Sequence, residues 1–302
     1  MDKKQNPIEL PQIVVTGAAG FIGRRVVARL VQTRAKVVAV DRRSPPEKFP
    51  AEVEYYRVDV GNDFPAIQGD FVLVHLAWNM DRGNPEAQEA SFQDTSRLLE
   101  RAGLHSVVGM GSAEEYGELE GRLNEAMEPS HPLSPYGQAK HEVRIQLEAW
   151  SRKPGRKAFW LRPFIAYGSG QIGNMAIPYA LRCARERTPA EFSEGLQFRD
   201  FVHVDDVAEG IAQVALRLPH LAGSFTICNL GRSEPVRLRD VLERIAGQTH
   251  TKDLFRFGAR PMRANEPIIQ FADVSTAEQL LDWQARIPWT QGIDALCQEA
   301  IQ

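Results

Sequence analysis

The chain has 302 residues, 43% hydrophobic and 25% charged, with 36 Lys and Arg against 39 Asp and Glu. A net charge of −3 leaves no basic excess to hold a polyanion, and no apolar run approaches the ~18 residues a bilayer span needs. Three scattered cysteines (Cys183, Cys228, Cys297) and a polar stretch from Met1 to Pro11 predict a reducing, cytoplasmic setting, with no disulfide framework and no metal cage.

In chain order, Ile13 to Thr16 reads as a strand. Phe21 to Val31 reads as a helix with apolar positions at Ile22, Val26, Val27, Leu30 and Val31, and Val37 to Val40 as a second strand. Strands over Tyr55–Val58, Val72–Leu76 and Val107–Met110 then alternate with helices over Pro85–Ala102 and Tyr136–Ser151. Near-continuous apolar strands between helices predict a parallel sheet covered on both faces. Past Phe159–Arg162 the texture changes, and Pro163, Gly168, Gly170 and Gly173 mark a long irregular stretch. A helix over Ile177–Arg187, a strand-like Phe198–Val202, a helix over Val204–Leu216 and a strand over Phe225–Cys228 follow. From Val236 the tail predicts three short helices around an extended Leu254–Phe257.

The first constellation lies at the first strand-to-helix turn, where Gly17, Gly20 and Gly23 are spaced Gly-x-x-Gly-x-x-Gly, with Phe21 and Ile22 between the last two. Such glycines permit a tight turn, let backbone N–H groups approach a pyrophosphate, and let helix and strand lie close; the helix N-terminus adds partial positive charge. Asp41, 18 residues past Gly23, ends the second strand where a carboxylate would bond the adenosine ribose hydroxyls. That carboxylate would repel a 2′-phosphate and so points to NAD, whereas the adjacent Arg42 and Arg43 keep NADP as the alternative. The fold expectation is therefore α/β: a doubly wound parallel sheet (Rossmann) with a smaller, sequence-discontinuous α/β substrate lobe. Residues 1–164, with 196–232 returning, would form the dinucleotide-binding domain, and 165–195 with 233–302 the lobe.

The second constellation is Tyr136 and Lys140, one helical turn apart, after a strand that ends in Gly111-Ser112. A nearby ammonium favours phenolate, which makes Tyr136 a candidate acid/base for alcohol–ketone interconversion, with Lys140 free to hold the nicotinamide ribose. Ser112 would hydrogen-bond the substrate oxygen where charge develops. Other residues read more plainly: His75 as a core histidine held by a backbone partner, His203 as structural, Asp205 and Asp206 as helix-start carboxylates, and Trp283 and Trp289 as lobe packing. His131 and His141 lack metal-ligand spacing, and Phe192 and Phe198 read as core aromatics with base stacking as the alternative.

Taken together, Thr16–Gly23, Asp59-Val60, His75-Leu76-Ala77, Gly111–Gly117, Ser134–Lys140 and Arg199–Ala208 resemble the extended short-chain dehydrogenase/reductase family, from about Ile13 to about Trp283. The resemblance implies Asp59 and Val60 at the adenine, Leu76 and Ala77 along the cofactor channel, and Ser112, Tyr136 and Lys140 as the catalytic triad. It implies Arg199 and Arg260 on the nucleotide of a nucleotide-diphosphate sugar, and a homodimer built on the helices at 85–102 and 136–151. Three positions depart from the family pattern: Ile165 in place of a phosphate-binding Asn, no Asn near Ser91, and Leu281-Asp282-Trp283 in place of Leu-Gly-Trp. Within the family, 4,6-dehydratases place an Asp-Glu pair after the Ser/Thr, where this chain has Ala113 and Glu114; alanine cannot donate a proton. The expectation is hydride transfer at sugar carbon 4, by a 4-ketoreductase or 4-epimerase of deoxysugar or cell-surface polysaccharide biosynthesis. The alternatives are a dehydratase using Glu114 as base, a non-catalytic dinucleotide-sensing regulator, and a steroid- or flavonoid-type reductase.

Overall fold

A computed structural model describes residues 10–101, 103–130 and 134–301; His131 and Ala102 lie outside them. The first half contains β1 (Gln12–Thr16), α1 (Gly23–Gln32), β2 (Val37–Asp41), β3 (Glu54–Arg57), β4 (Phe71–His75), α2 (Pro85–Leu99) and β5 (Ser106–Met110). A 3-10 turn (Ala113–Tyr116), β6 (Gly121–Leu123), α3 (Pro135–Ser151), β7 (Lys157–Pro163), β8 (Ile165–Tyr167), α4 (Ala176–Glu186) and β9 (Ala190–Glu191) follow. The remainder comprises β10 (Phe198–His203), α5 (Val204–Arg217), β11 (Phe225–Leu230), β12 (Pro235–Arg237), α6 (Leu238–Gln248), β13 (Phe255–Arg256), β14 (Ile269–Ala272), α7 (Ser275–Leu281) and α8 (Trp289–Ile301).

Seven parallel strands form the main sheet in the order β11-β7-β5-β4-β1-β2-β3. Alternation along β1 explains why its residues are apolar on both sides. Ile13 and Val15 join Val26, Val27 and Leu30 of α1 and Val207 and Ile211 of α5 in one layer, whereas Val14 joins Leu98, Val143 and Leu147 from α2 and α3 in the other. Strand order reverses direction between β1 and β4, and ligands bind in such sheets outside the carboxyl ends at that point.

Local chemistry sets the helix starts that matter here. Asn84 caps α2 by accepting from the Ala87 N–H, and Ser134 caps α3 by accepting from the Gly137 N–H at 3.1 Å; each is followed by proline at the first helical position. Ser134-Pro135 thereby fixes the angle at which Tyr136 leaves the helix.

A second, mixed sheet runs β12-β10-β14-β6, with β8 paired to β10, and β9 and β13 form a small ribbon. The strand at 198–203 pairs within this smaller sheet, and the chain rejoins the main sheet with β11, beside β7. The strands of the smaller sheet, three to six residues long, come from five separated stretches of chain, and β6, β8, β12 and β14 carry too little alternation to be read singly.

Candidate active site

The turn after β1 runs directly beneath the end of β4. Gly17 has φ +67°, and a Cβ there would stand 2.7 Å from the Ala77 nitrogen; a Cβ on Gly23 would stand 2.1 Å from the Gly17 carbonyl oxygen. Thr16 holds this crossing, its hydroxyl oxygen accepting from the Leu76 and Ala77 N–H groups at 3.2 and 3.3 Å. The same hydroxyl meets His75 Nδ1 at 2.8 Å, and His75 Nε2 meets the Thr95 hydroxyl at 3.0 Å. Because Thr95 donates its own proton to the Ser91 carbonyl, the ring carries its hydrogen on Nε2 and Nδ1 accepts. Burial, aided by the Lys140 charge, drives His75 down to about 3, so it stays neutral. His75 is a core histidine, held by two threonine hydroxyls rather than by a backbone group.

Asp41 is buried at the end of β2 and accepts from the Ala19 N–H at 3.0 Å. The arginine that folds back on it is Arg43, through its N–H at 2.9 Å and its guanidinium at 3.2 Å, and not Arg42, whose carbonyl faces Arg57. Ile22 occupies the N-cap position of α1, and the Phe21 ring lies 5.2 Å beneath the Arg25 guanidinium. Asp59 accepts from the Gly61 N–H at 3.1 Å, and Val60 is buried behind it.

On the other side of the crossing stands the second constellation. Ser112 follows β5 and caps the 3-10 turn, its hydroxyl accepting from the Glu114 N–H at 3.2 Å and its own N–H donating to Glu115 at 2.8 Å. Glu115 is fully buried, and its carboxylate also accepts from Trp160 Nε1 and Arg162 Nε, each at 3.0 Å. Sequence reading gave Glu115 no role. Three donors converging on one buried carboxylate fix the backbone on which Ser112 sits.

Burial pushes the Tyr136 phenol up to about 12, against the Arg82 cation and a hydrogen bond from Ser112, with Glu114 and Glu115 adding to the rise. Lys140 lies on the same side of the helix. Its Nζ donates to the Met110 carbonyl at 2.8 Å and lies 3.6 Å over the Trp78 ring, 5.7 Å from the Tyr136 ring centre, and burial lowers it to about 7. The cation nearer to the Tyr136 ring is Arg82, whose guanidinium lies 4.5 Å over it while pairing with Glu114. Glu114 also accepts from the Ser134 hydroxyl. Arg82 was missed; its one signal was a charge on the loop that leaves the carboxyl end of β4.

Arg199 is drawn to Glu266 at 3.0 Å, and Gln197 donates to the same carboxylate at 3.2 Å, beside a cavity of about 100 Å³ lined by Ile165, Tyr167 and Phe201. Arg260 instead faces Glu191 at 3.8 Å and the Tyr179 ring. Asp200 is structural: its buried carboxylate accepts from the Arg232, Ser233 and Ala272 N–H groups at 2.7, 2.9 and 3.1 Å. Phe192 lies in an aromatic cluster with Tyr179, Phe255 and Phe257, and Trp283 donates to the Asp206 carbonyl at 3.0 Å.

A doubly wound sheet, a glycine turn with no room for side chains, and Ser112, Tyr136 and Lys140 at the same edge define an α/β protein of the dinucleotide-binding type. Residues 13–231 match the family model "NAD dependent epimerase/dehydratase family", and the chain belongs to that family, with NAD as its dinucleotide. It is 29% identical over 313 residues to a Bacillus subtilis protein described as an uncharacterized UDP-glucose epimerase, covering 93% of this chain and 95% of that one. It is 26% identical over 311 residues to the UDP-glucuronate 4-epimerase of Thermodesulfobacterium geofontis, covering 93% of each. Among solved structures, MoeE5 in complex with UDP-glucuronic acid and NAD matches with TM-score 0.81 and 28% identity, over 95% of this chain and 98% of that chain.

Among the described residues, no helix is long and apolar enough to cross a membrane.

Proposed function

We propose that the chain is a nucleotide-diphosphate-sugar 4-epimerase that works through Ser112, Tyr136 and Lys140. The observation that carries this reading is that Tyr136 and Lys140, on the first turns of α3 and with the ammonium 5.7 Å from the phenol ring, stand against the turn that begins at Ser112, at the carboxyl edge of the sheet beside the crowded glycine turn. The residues present suit NAD: Gly17, Gly20, Gly23 and the start of α1 would cradle its pyrophosphate, and buried Asp41 would meet the adenosine ribose. Asp59, Val60, Leu76 and Ala77 would line the rest of its channel. Bound there, NAD supplies the hydride acceptor and donor.

In this reading Tyr136 takes the proton of the sugar 4-hydroxyl as the carbinol is oxidised and returns it after the ring has turned over, so that the opposite epimer forms. Ser112 donates a hydrogen bond to the same oxygen while it carries developing charge. Lys140, lowered to about 7 and bonded to the Met110 carbonyl beneath the Trp78 ring, would exchange that carbonyl for the cofactor ribose. Arg199 is the residue for the substrate's diphosphate and would exchange Glu266 for it; Arg260 lies further out along the lobe. Glu114, tied to Arg82 and Ser134, is not placed as a free base, which weighs against a dehydratase.

The test is incubation with a panel of UDP-, GDP-, CDP- and dTDP-sugars plus NAD, followed by NMR at carbon 4. The expected outcome is conversion to the 4-epimer without net formation of NADH, abolished in Tyr136→Phe. Stoichiometric consumption of NADH on a 4-keto sugar would replace the epimerase reading by the 4-ketoreductase, and equal turnover by Tyr136→Phe would remove Tyr136 as the acid/base.

A further inference from the structure

We infer that Arg82 and Glu114 form an opposed electrostatic pair that positions the protonation balance of Tyr136, Arg82 favouring loss of the phenolic proton and Glu114 retaining it. The inference rests on the reading of Tyr136 as the acid/base and adds two residues that the Ser-Tyr-Lys arrangement does not contain.

The geometry is specific. Arg82 reaches from the loop after β4 and lays its guanidinium over the Tyr136 ring at 4.5 Å, nearer than the Lys140 ammonium at 5.7 Å. One of its nitrogens is bonded to Glu114, whose second oxygen accepts from Ser134. Ser134 is the N-cap of α3, two residues before Tyr136, so the pair is tied to the helix that carries the phenol. A cation held over an aromatic face is attracted by the ring and favours the phenolate, whereas a carboxylate close by opposes ionisation.

The other charged groups around Tyr136 are occupied. From the 3-10 turn, Glu115 is shared by the Ser112 N–H, Trp160 and Arg162. From α3 itself, Lys140 is bonded to the Met110 carbonyl and covered by Trp78. From β4, His75 is neutral, and Trp78, edge-on to Tyr136 at 6.4 Å, carries no charge. Arg82 and Glu114 are each about a third exposed, at 32% of the side chain, and so can be changed without opening the core. Arg82 is also the foremost influence opposing the upward push of burial on Tyr136, and Glu114 the foremost charge reinforcing it.

The experiment compares Arg82→Gln, Arg82→Lys and Glu114→Gln with the wild type in the NAD-loaded enzyme, following kcat/KM for the nucleotide sugar against pH. Phenolate absorbance of the NAD-free protein is titrated in parallel, with Tyr136→Phe subtracted, and melting temperatures check folding. Arg82→Gln should move the rising limb to higher pH, so that activity below the midpoint falls about tenfold for each pH unit of displacement. Glu114→Gln should move it to lower pH and raise activity there, and Arg82→Lys should restore the limb most of the way. The phenolate titration should shift in the same senses. A purely structural role would lower activity in both charge-removing variants and leave the limb in place. An unmoved limb, or displacement of both variants in one direction, overturns the inference while an inactive Tyr136→Phe leaves the acid/base reading standing. Full activity in Tyr136→Phe removes both.

Discussion

Substituting Gly23 by alanine puts the dinucleotide turn to its most direct test. The added methyl would lie 2.1 Å from the Gly17 carbonyl oxygen, 2.9 Å from the Gly17 carbonyl carbon and 3.0 Å from the Ala18 Cα. All three are backbone atoms, so no rotamer change relieves the overlap. Ordinary contact begins near 3.4 Å, and the turn and helix must therefore separate by about 1.3 Å. Overpacking of this kind costs about 1–3 kcal/mol in stability. The same displacement turns the N–H groups at the start of α1 away from the pyrophosphate, and a hydrogen bond to a charged group contributes about 1.5–3 kcal/mol. Loss of one such bond already weakens NAD by about tenfold or more. The assay is urea unfolding together with NAD titration by calorimetry, with Gly83→Ala as control, since a Cβ there meets nothing within 4 Å. Gly23→Ala should lose both stability and affinity while the control loses neither. NAD affinity within twofold of the wild type would refute the assignment of this turn to the pyrophosphate.

Two predictions concern buried carboxylates. Truncating Glu115 to alanine leaves the Arg162 guanidinium, 1% exposed, without its counter-charge, and should cost about 3–5 kcal/mol in urea unfolding; a loss under about 1 kcal/mol would show that the pair is not holding the Ser112 backbone. Burial lifts Asp200 from 3.8 to about 6 against its three backbone donors, so the folded protein binds that proton more tightly than the unfolded chain does. Its contribution to stability is full below about pH 4 and is lost as the pH rises through about 6. The stability of the wild type relative to Asp200→Asn should accordingly decline across that interval, and a difference that does not change with pH would contradict the assignment.

Much of the site could be read from contiguous residues. Glycines at 17, 20 and 23 between an apolar strand and an amphipathic helix, Asp41 at the next strand end, and Ser134-Pro135 ahead of Tyr136 and Lys140 are local signals. Each depends on neighbours a few positions away through strand alternation, helix capping or the i, i+4 face. The main sheet followed from the same periodicities, because strands buried on both faces must be apolar throughout.

Only the tertiary structure decided where the charges meet. Arg82 reaches Glu114 across 32 residues of chain and Arg162 reaches Glu115 across 47, and no local spacing selects those partners over the many other carboxylates. The turn at Asp41 chose Arg43 over its neighbour Arg42 because only one of two consecutive side chains can fold back over the strand end. Lys140 stands on the same helix face as Tyr136, as its spacing requires, yet the ring of Trp78 and the Met110 carbonyl take its ammonium. The smaller sheet was out of reach for the same reason: its short strands are stabilised by pairing with distant segments rather than by any pattern of their own. Periodicity records what a residue needs from the core, whereas the choice of an ion-pair partner or a strand neighbour is made only when folding brings remote stretches of chain together.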